Sequence, residues 1–277
     1  MHTRNKRLWR NHKEGSNFPG QHLIYSKRLA QSLIEMAGIG SNDLVLDIGA
    51  GKGALTLPLA QKAGRVLAIE NDPQFVQKLR VKLDKWSHVT IIERDILQVN
   101  LPRKPFCVVA SIPYSITTPI LGKLMDQPAT PLKKALLVIE KGAAKRFTAN
   151  PTTNPRILKW RMFFDLKMGR TLSPDHFSPP PRVDSAVLFI NRKEKPFIPV
   201  RGHALFSALA SHGLKIPEWP VYEALRGVFT PPQISHLLKE LGIERDFPIG
   251  WLSIDQWATI FHSMIRHVKP YRWPTRK

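Results

Sequence analysis

The segment Leu44–Gly53, which reads LVLDIGAGKG, constrains the fold of this chain more than any other. Branched apolar residues run straight into glycines at three alternate positions, 49, 51 and 53. A run of that kind suits a strand buried on both faces, and the glycines let the chain turn sharply where it leaves the strand. The same apolar signature returns at Val66–Glu70, Val89–Glu93, Phe106–Ala110 and Ala135–Ile139. Helical patterns separate these runs. Ser26 is placed to cap a helix with Leu29, Leu33 and Met36 on one face and Gly38 as its stop. The glycine loop opens a helix carrying Leu55, Leu59 and Ala60, in which Pro58 is awkward beyond the first turn. Asp72-Pro73 begins a helix with Phe75, Val76, Leu79 and Leu83 spaced for burial, and another starts near Thr118-Pro119. Strands alternating with helices predict an α/β fold, a doubly wound Rossmann-like sheet covered on both faces.

The pattern changes near residue 190. Val183–Ile190 reads as a last strand and Lys193–Pro196 as a linker, and only helical signals follow. Thr230-Pro231 starts a helix through Ile234–Leu241. Ser253-Ile-Asp-Gln256 has capping-box spacing ahead of Trp257, Ile260, Phe261, Met264 and Ile265. The expected organisation is a flexible basic arm at 1–17, a catalytic unit at 18–192 and a small all-helical unit at 193–277.

Lysine and arginine number 42 against 21 acids, a formal charge of +21. A twofold excess of one sign goes beyond what solubility needs and points to a polyanion partner, which favours nucleic acid over a small neutral substrate. Cys107 is the single cysteine, so an intrachain disulfide is excluded, and its place in an apolar run fits a reducing compartment. With no apolar segment behind the basic N-terminus, the expectation is a cytoplasmic protein without a membrane span. No metal-ligand spacing stands out.

Taken alone, the glycine loop is ambiguous. Gly49-x-Gly51-x-x-Ala54 also satisfies the dinucleotide fingerprint, which keeps a nicotinamide enzyme in view. Two acids add to the signal. Glu70 ends the second strand, where a carboxylate can accept both ribose hydroxyls. Asp95 follows the third, where it can accept from an adenine amino group while Ile96 packs on the ring. They fit S-adenosylmethionine lying across the strand ends, with Asp47 the acid nearest its methionine moiety.

Ala110-Ser-Ile-Pro-Tyr114 then supplies what a dehydrogenase does not need. An adenine amine is a poor nucleophile because its lone pair is delocalised into the ring. Hydrogen bonds from N6 to the Ser111 hydroxyl and the Ile112 carbonyl favour the pyramidal geometry that frees the pair. Stacking on Tyr114 would hold a base taken out of its helix. Phe177, in a proline-stiffened loop, is a candidate for the base's other face.

In order, Phe18-Pro-Gly-Gln21-His22, Asp47–Gly53, Glu70, Asp95, Ser111–Tyr114 and Phe177–Ser185 resemble the ribosomal RNA adenine N6-methyltransferases. Gln21-His22, Gly51–Thr56, Glu140–Phe147 and Phe229–Gln233 favour the erythromycin-resistance (Erm) branch over the small-subunit dimethylases. The resemblance implies a Rossmann-like class I methyltransferase sheet with a C-terminal helical domain. It also implies methylation of one adenine of 23S rRNA in the macrolide site, obstructing macrolide, lincosamide and streptogramin B antibiotics. It assigns Gln21, His22, Leu23, Gly49, Gly51, Glu70, Asn71, Asp95 and Ile96 to the cofactor, alongside Asp47 and Ser111, and Tyr114 and Phe177 to base stacking. Most members carry Asn where this chain has Ser111, which exposes the choice between one and two methyls to change. A non-catalytic nucleic-acid-binding relative is the alternative from another class. The expected enzyme is a monomer.

Positive charge is uneven, and Lys133–Arg170 holds ten Lys/Arg against Glu140 and Asp165. Lys133, Lys134, Lys141, Lys145, Arg146 and Arg161 are the candidate phosphate contacts, together with the N-terminal arm.

Overall fold

The computed structural model describes residues 22–275, so the basic arm and Gln21 lie outside the described residues. Within them the chain runs β1 (Leu23–Ile24), α1 (Lys27–Ala37), β2 (Leu44–Ile48), α2 (Thr56–Ala60), β3 (Arg65–Glu70), α3 (Pro73–Leu83), β4 (Val89–Glu93), β5 (Phe106–Ser111) and α4 (Thr117–Met125). It continues through β6 (Leu132–Glu140), α5 (Lys141–Thr148), α6 (Pro155–Phe163), β7 (Phe164–Leu172), β8 (Phe177–Ser178) and β9 (Ser185–Arg192). Four helices follow, α7 (His203–Gly213), α8 (Val221–Ala224), α9 (Pro231–Leu241) and α10 (Ile254–His267).

Seven strands form one sheet in the order β4-β3-β2-β5-β6-β9-β7, and β1 pairs with β8 in a separate short ribbon. The pairs from β4 to β6 are parallel, while β9 is antiparallel to both β6 and β7. Alternation along the central strands divides the core. Phe106, Val108 and Ala110 of β5 and Ala135, Leu137 and Ile139 of β6 face one apolar cluster, whereas Cys107, Val109, Leu136 and Val138 face another that includes Leu29 and Leu33 of α1. Burial on both faces explains why these strands read as unbroken apolar runs. The α/β expectation therefore holds.

Local signals place the helices. Ser26 accepts from the Leu29 amide and Gly38 closes α1 in the left-handed region at φ 57°. Asp72 caps α3 with Pro73 at its first position, and Ser253 with Gln256 forms the capping box of α10. Three expectations need correction. Met36 is exposed (36 %), and Ile34 takes the buried place on α1, because the face turns with 3.6 residues per turn. Pro58 is unproblematic because α2 begins only at Thr56, so the proline lies in the first turn, where no intrahelical donor is missing. Ile265 is 44 % exposed beside the buried Trp257, Ile260, Phe261 and Met264.

The last strand begins at Ser185, not Val183, which is 48 % exposed. Strand β7 has no counterpart in the sequence reading. It is an edge strand paired only to β9, and its charged outward residues hid its alternation. Beyond β9 the chain is helical, and Phe206, Trp257 and Phe261 share one continuous buried cluster with Trp160 and Phe163 of α6. No helix among the described residues is long and apolar enough to cross a membrane.

Candidate active site at the carboxyl ends of the strands

The strand order reverses between β2 and β5, and open parallel sheets form their ligand crevice at that point. Here Gly49 leaves β2 at φ 73°, and an added Cβ would stand 3.6 Å from the Ser111 carbonyl oxygen and 3.9 Å from Pro113. Gly51, at φ 51°, would drive a Cβ to 2.7 Å from Leu23 Cδ2. Both conditions call for glycine, and they bring β1, the loop and the Ser111 turn together.

Two depressions flank Gly49. The first is bordered by Glu70, Asn71, Asp95, Ile96, Pro113 and Ile116. The second is bordered by His22, Leu23, Asp47, Gly49, Lys52 and Ser111. The adenosine-directed and methionine-directed residues expected from the sequence thus fall on opposite sides of one glycine.

Glu70 is buried, and its carboxylate accepts from the Gly51 amide at 2.8 Å, the Asn71 amide at 2.9 Å and the Asp72 amide at 3.0 Å. A carboxylate has about four acceptor positions. About one acceptor position therefore remains, on Oε2, where the sequence reading has a carboxylate free to accept two hydroxyls. Asp95 Oδ1 takes the Leu97 amide at 2.9 Å, which leaves Oδ2 for a donor in the cleft, while Ile96 is almost fully buried beneath it. Asn71 is exposed at the rim.

Asp47 is 1 % exposed and accepts from the Thr56 hydroxyl at 2.6 Å. Burial pushes its carboxyl up to about 7, the Thr56 hydrogen bond opposes this, and repulsion from Glu70 adds to it. Such a carboxyl ionises readily when a cation arrives. Thr56 was missed in the sequence because its hydroxyl reaches back nine residues across the loop.

On the acceptor side, Ser111 ends β5 and Ile112 donates its amide to Val138, which aims the turn out of the sheet. Tyr114 is half-buried, and burial raises its phenol, so the ring stays neutral. Its hydroxyl lies 2.6 Å from Ser185 Oγ. The His22 ring stands 5.4 Å from the Tyr114 ring at 41°, with Nδ1 2.8 Å from the Pro179 carbonyl. Phe177 is not beside them as an open face. It is 2 % exposed and plugs the cluster of Ile24, Leu172 and Val187, so no side of its ring is available to a base as it stands.

The basic candidates separate into two places. Lys141, Lys145 and Arg146 lie on α5, directly after the site end of β6, and Arg146 donates to Thr118 Oγ1 beside the Tyr114 turn. Lys133 and Lys134 sit at the other end of β6, roughly 23 Å away by strand rise. There Lys133 pairs with Asp43 at 3.0 Å and Lys134 donates to the Gly38 carbonyl. Arg161 is turned to the Ala149 carbonyl at 2.6 Å. Among the described residues no cluster of His, Cys, Asp and Glu suits a metal.

The cleft fits an adenosine-bearing cofactor on this chain's own features: glycine-only backbone beside Ser111, a remaining acceptor on Glu70, and Asp95 over Ile96. Residues 12–266 match the ribosomal RNA adenine dimethylase family. An rRNA adenine N-6-methyltransferase of Bacillus licheniformis is 46 % identical over 271 residues, 98 % of this chain and 94 % of that protein. The ribosomal RNA small subunit methyltransferase A of Caldanaerobacter subterraneus is 30 % identical, across 90 % of this chain and 97 % of its own length. The solved structure of the 23S rRNA methyltransferase ErmE superposes with a TM-score of 0.78 at 22 % identity, covering 88 % of this chain and 99 % of ErmE. The chain belongs to the ribosomal RNA adenine dimethylase family and is an S-adenosylmethionine-dependent methyltransferase.

Proposed function

We propose that the chain methylates N6 of one adenine in 23S rRNA and thereby confers resistance to macrolide, lincosamide and streptogramin B antibiotics. It does so as a monomeric cytoplasmic enzyme, with residues 18–192 carrying the chemistry and 193–277 forming the helical unit. The observation that carries this reading is the meeting of the Ser111–Tyr114 turn with the cofactor loop at Gly49. The identity of 46 % to an rRNA adenine N-6-methyltransferase, against 30 % to a small-subunit enzyme, argues against the small-subunit branch.

The bound cofactor supplies an electrophilic methyl group on a sulfonium. The chain's residues do the rest. Tyr114 receives the flipped adenine on its ring. The Ser111 hydroxyl and the Ile112 carbonyl accept the two N6 hydrogens, which draws the nitrogen toward pyramidal geometry and frees its lone pair. The surplus proton leaves after the new C–N bond has formed, so no strong base is required. Asp47 would ionise as the cofactor binds and would hold a positively charged group of it. Lys141, Lys145 and Arg146 contact phosphates and set the RNA's position, while the fold around the adenine selects it.

Incubation with labelled S-adenosylmethionine and protein-free 23S or 16S rRNA, followed by mapping of the base, tests the proposal. Label at a single 23S adenine is expected. Label confined to 16S rRNA would move the enzyme to the small-subunit branch, and RNA binding without label would make it a non-catalytic relative.

A further inference from the structure

Ser185 is the first residue of β9 and is fully buried, yet its side chain is polar. A buried hydroxyl requires a partner, and this one finds the Tyr114 hydroxyl at 2.6 Å across 71 residues of sequence. The sheet brings them together. Ser185 opposes Glu140 at the end of β6, and Ser111 pairs with Val138 of that same strand end. On its other side Ser185 opposes Leu172 of β7. The residue before it is fixed as well: the Lys141 amide donates to the Asp184 carbonyl and the Lys141 ammonium pairs with the Asp184 carboxylate, both at 3.0 Å. Ser185 is thus a rigid point, held by three strands and by the first turn of α5.

The half-buried Tyr114 ring is attached to the chain at one end only. Its two side-chain torsions let the plane swing unless something holds the far end. The His22 ring borders Tyr114 at its flank and is itself tied to the Pro179 carbonyl. That contact limits the ring sideways but leaves the hydroxyl end to Ser185.

We infer that Ser185 is a positioning residue for methyl transfer: its hydroxyl fixes the plane of the Tyr114 ring, and so the height and tilt at which the target adenine presents N6 to the Ser111 turn. The inference rests on the reading of Tyr114 as the surface that receives the base. Misplacement by about 1 Å can slow a reaction about 100-fold, so loss of one of two restraints on the ring is expected to slow transfer about tenfold.

A double-mutant cycle on the full chain separates this role from simple packing. Single-turnover methylation of 23S rRNA, S-adenosylmethionine affinity and melting temperature are measured for Ser185→Ala, Tyr114→Phe, their combination and Tyr114→Ala. The expected result is that each of the first two lowers the rate about tenfold, with cofactor affinity unchanged and the double variant no slower than either single. Rates that multiply in the double variant, or a wild-type rate in Ser185→Ala, would overturn the inference. So would a loss of stability in Ser185→Ala without loss of rate well below the melting temperature. A wild-type rate in Tyr114→Ala would instead remove the stacking reading itself.

Discussion

The two sides of the cleft are built differently. On the cofactor side, β2 to β4, the geometry is wired through the backbone. Glycines at positive φ shape the loop, and Glu70 and Asp95 orient themselves by accepting neighbouring amides. On the acceptor side, β5, β6 and β9, side chains from distant parts of the chain do the work. Ser185 holds Tyr114, Asp184 holds Lys141, and Arg146 reaches Thr118. Backbone wiring tolerates almost no substitution, whereas side-chain wiring can be retuned one contact at a time.

The largest effect should come from the backbone-wired side. Gly51→Ala places a Cβ 2.7 Å from Leu23 Cδ2 in a left-handed residue. Calorimetry should show about a 100-fold loss of S-adenosylmethionine affinity, because alanine strains the left-handed loop and pushes the Leu23 side chain into the depression it lines. An affinity near wild type would mean that the loop is softer than described. Glu70→Gln comes next. Its amide nitrogen must face at least one of three amide donors, so stability should fall by about 2 kcal/mol and cofactor affinity more than tenfold. Chemical denaturation reads the first and calorimetry the second.

Asp47 sharpens the comparison through pH. Its folded value of about 7 lies above the ordinary 3.8, so the folded protein without cofactor keeps a proton that the unfolded chain has already released between them. Stability from this group is complete below about pH 3.8 and is lost as pH rises through 7. Asp47→Asn should flatten that decline in denaturation curves. In the wild type, S-adenosylmethionine binding at pH 6.5 should release protons, seen as a dependence of the calorimetric heat on the buffer. The smallest effect is expected on α5. Replacing Lys145 and Arg146 by Ala should weaken RNA binding several-fold and reduce its salt slope by about 2, while Lys133→Ala changes neither.

The same division decides what could be read from the sequence. Glycine spacing, the acids at strand ends, the Asp72 and Ser253 caps and the apolar runs are local, and they located six strands and put the glycine loop and both acids at one end of the sheet. Tyr114 with Ser185 could not be read, because strand pairing across 71 residues leaves no spacing signal. Phe177 looked like a loop aromatic, but its two-residue pairing with β1 draws it into the core. Lys133 and Lys134 looked continuous with Lys141, but a strand runs between them and carries them to opposite ends of the sheet. β7 escaped because edge strands carry charges that mask alternation.

Hydrogen exchange of the protein with S-adenosylmethionine alone and with 23S rRNA alone tests the division most directly. The cofactor is expected to protect Gly49–Gly53, Glu70–Asp72 and Asp95–Leu97, and RNA to protect Lys141–Thr148 and the Tyr114 turn. Cofactor protection spreading through α5, or RNA protection centred on the loops after β3 and β4, would contradict it.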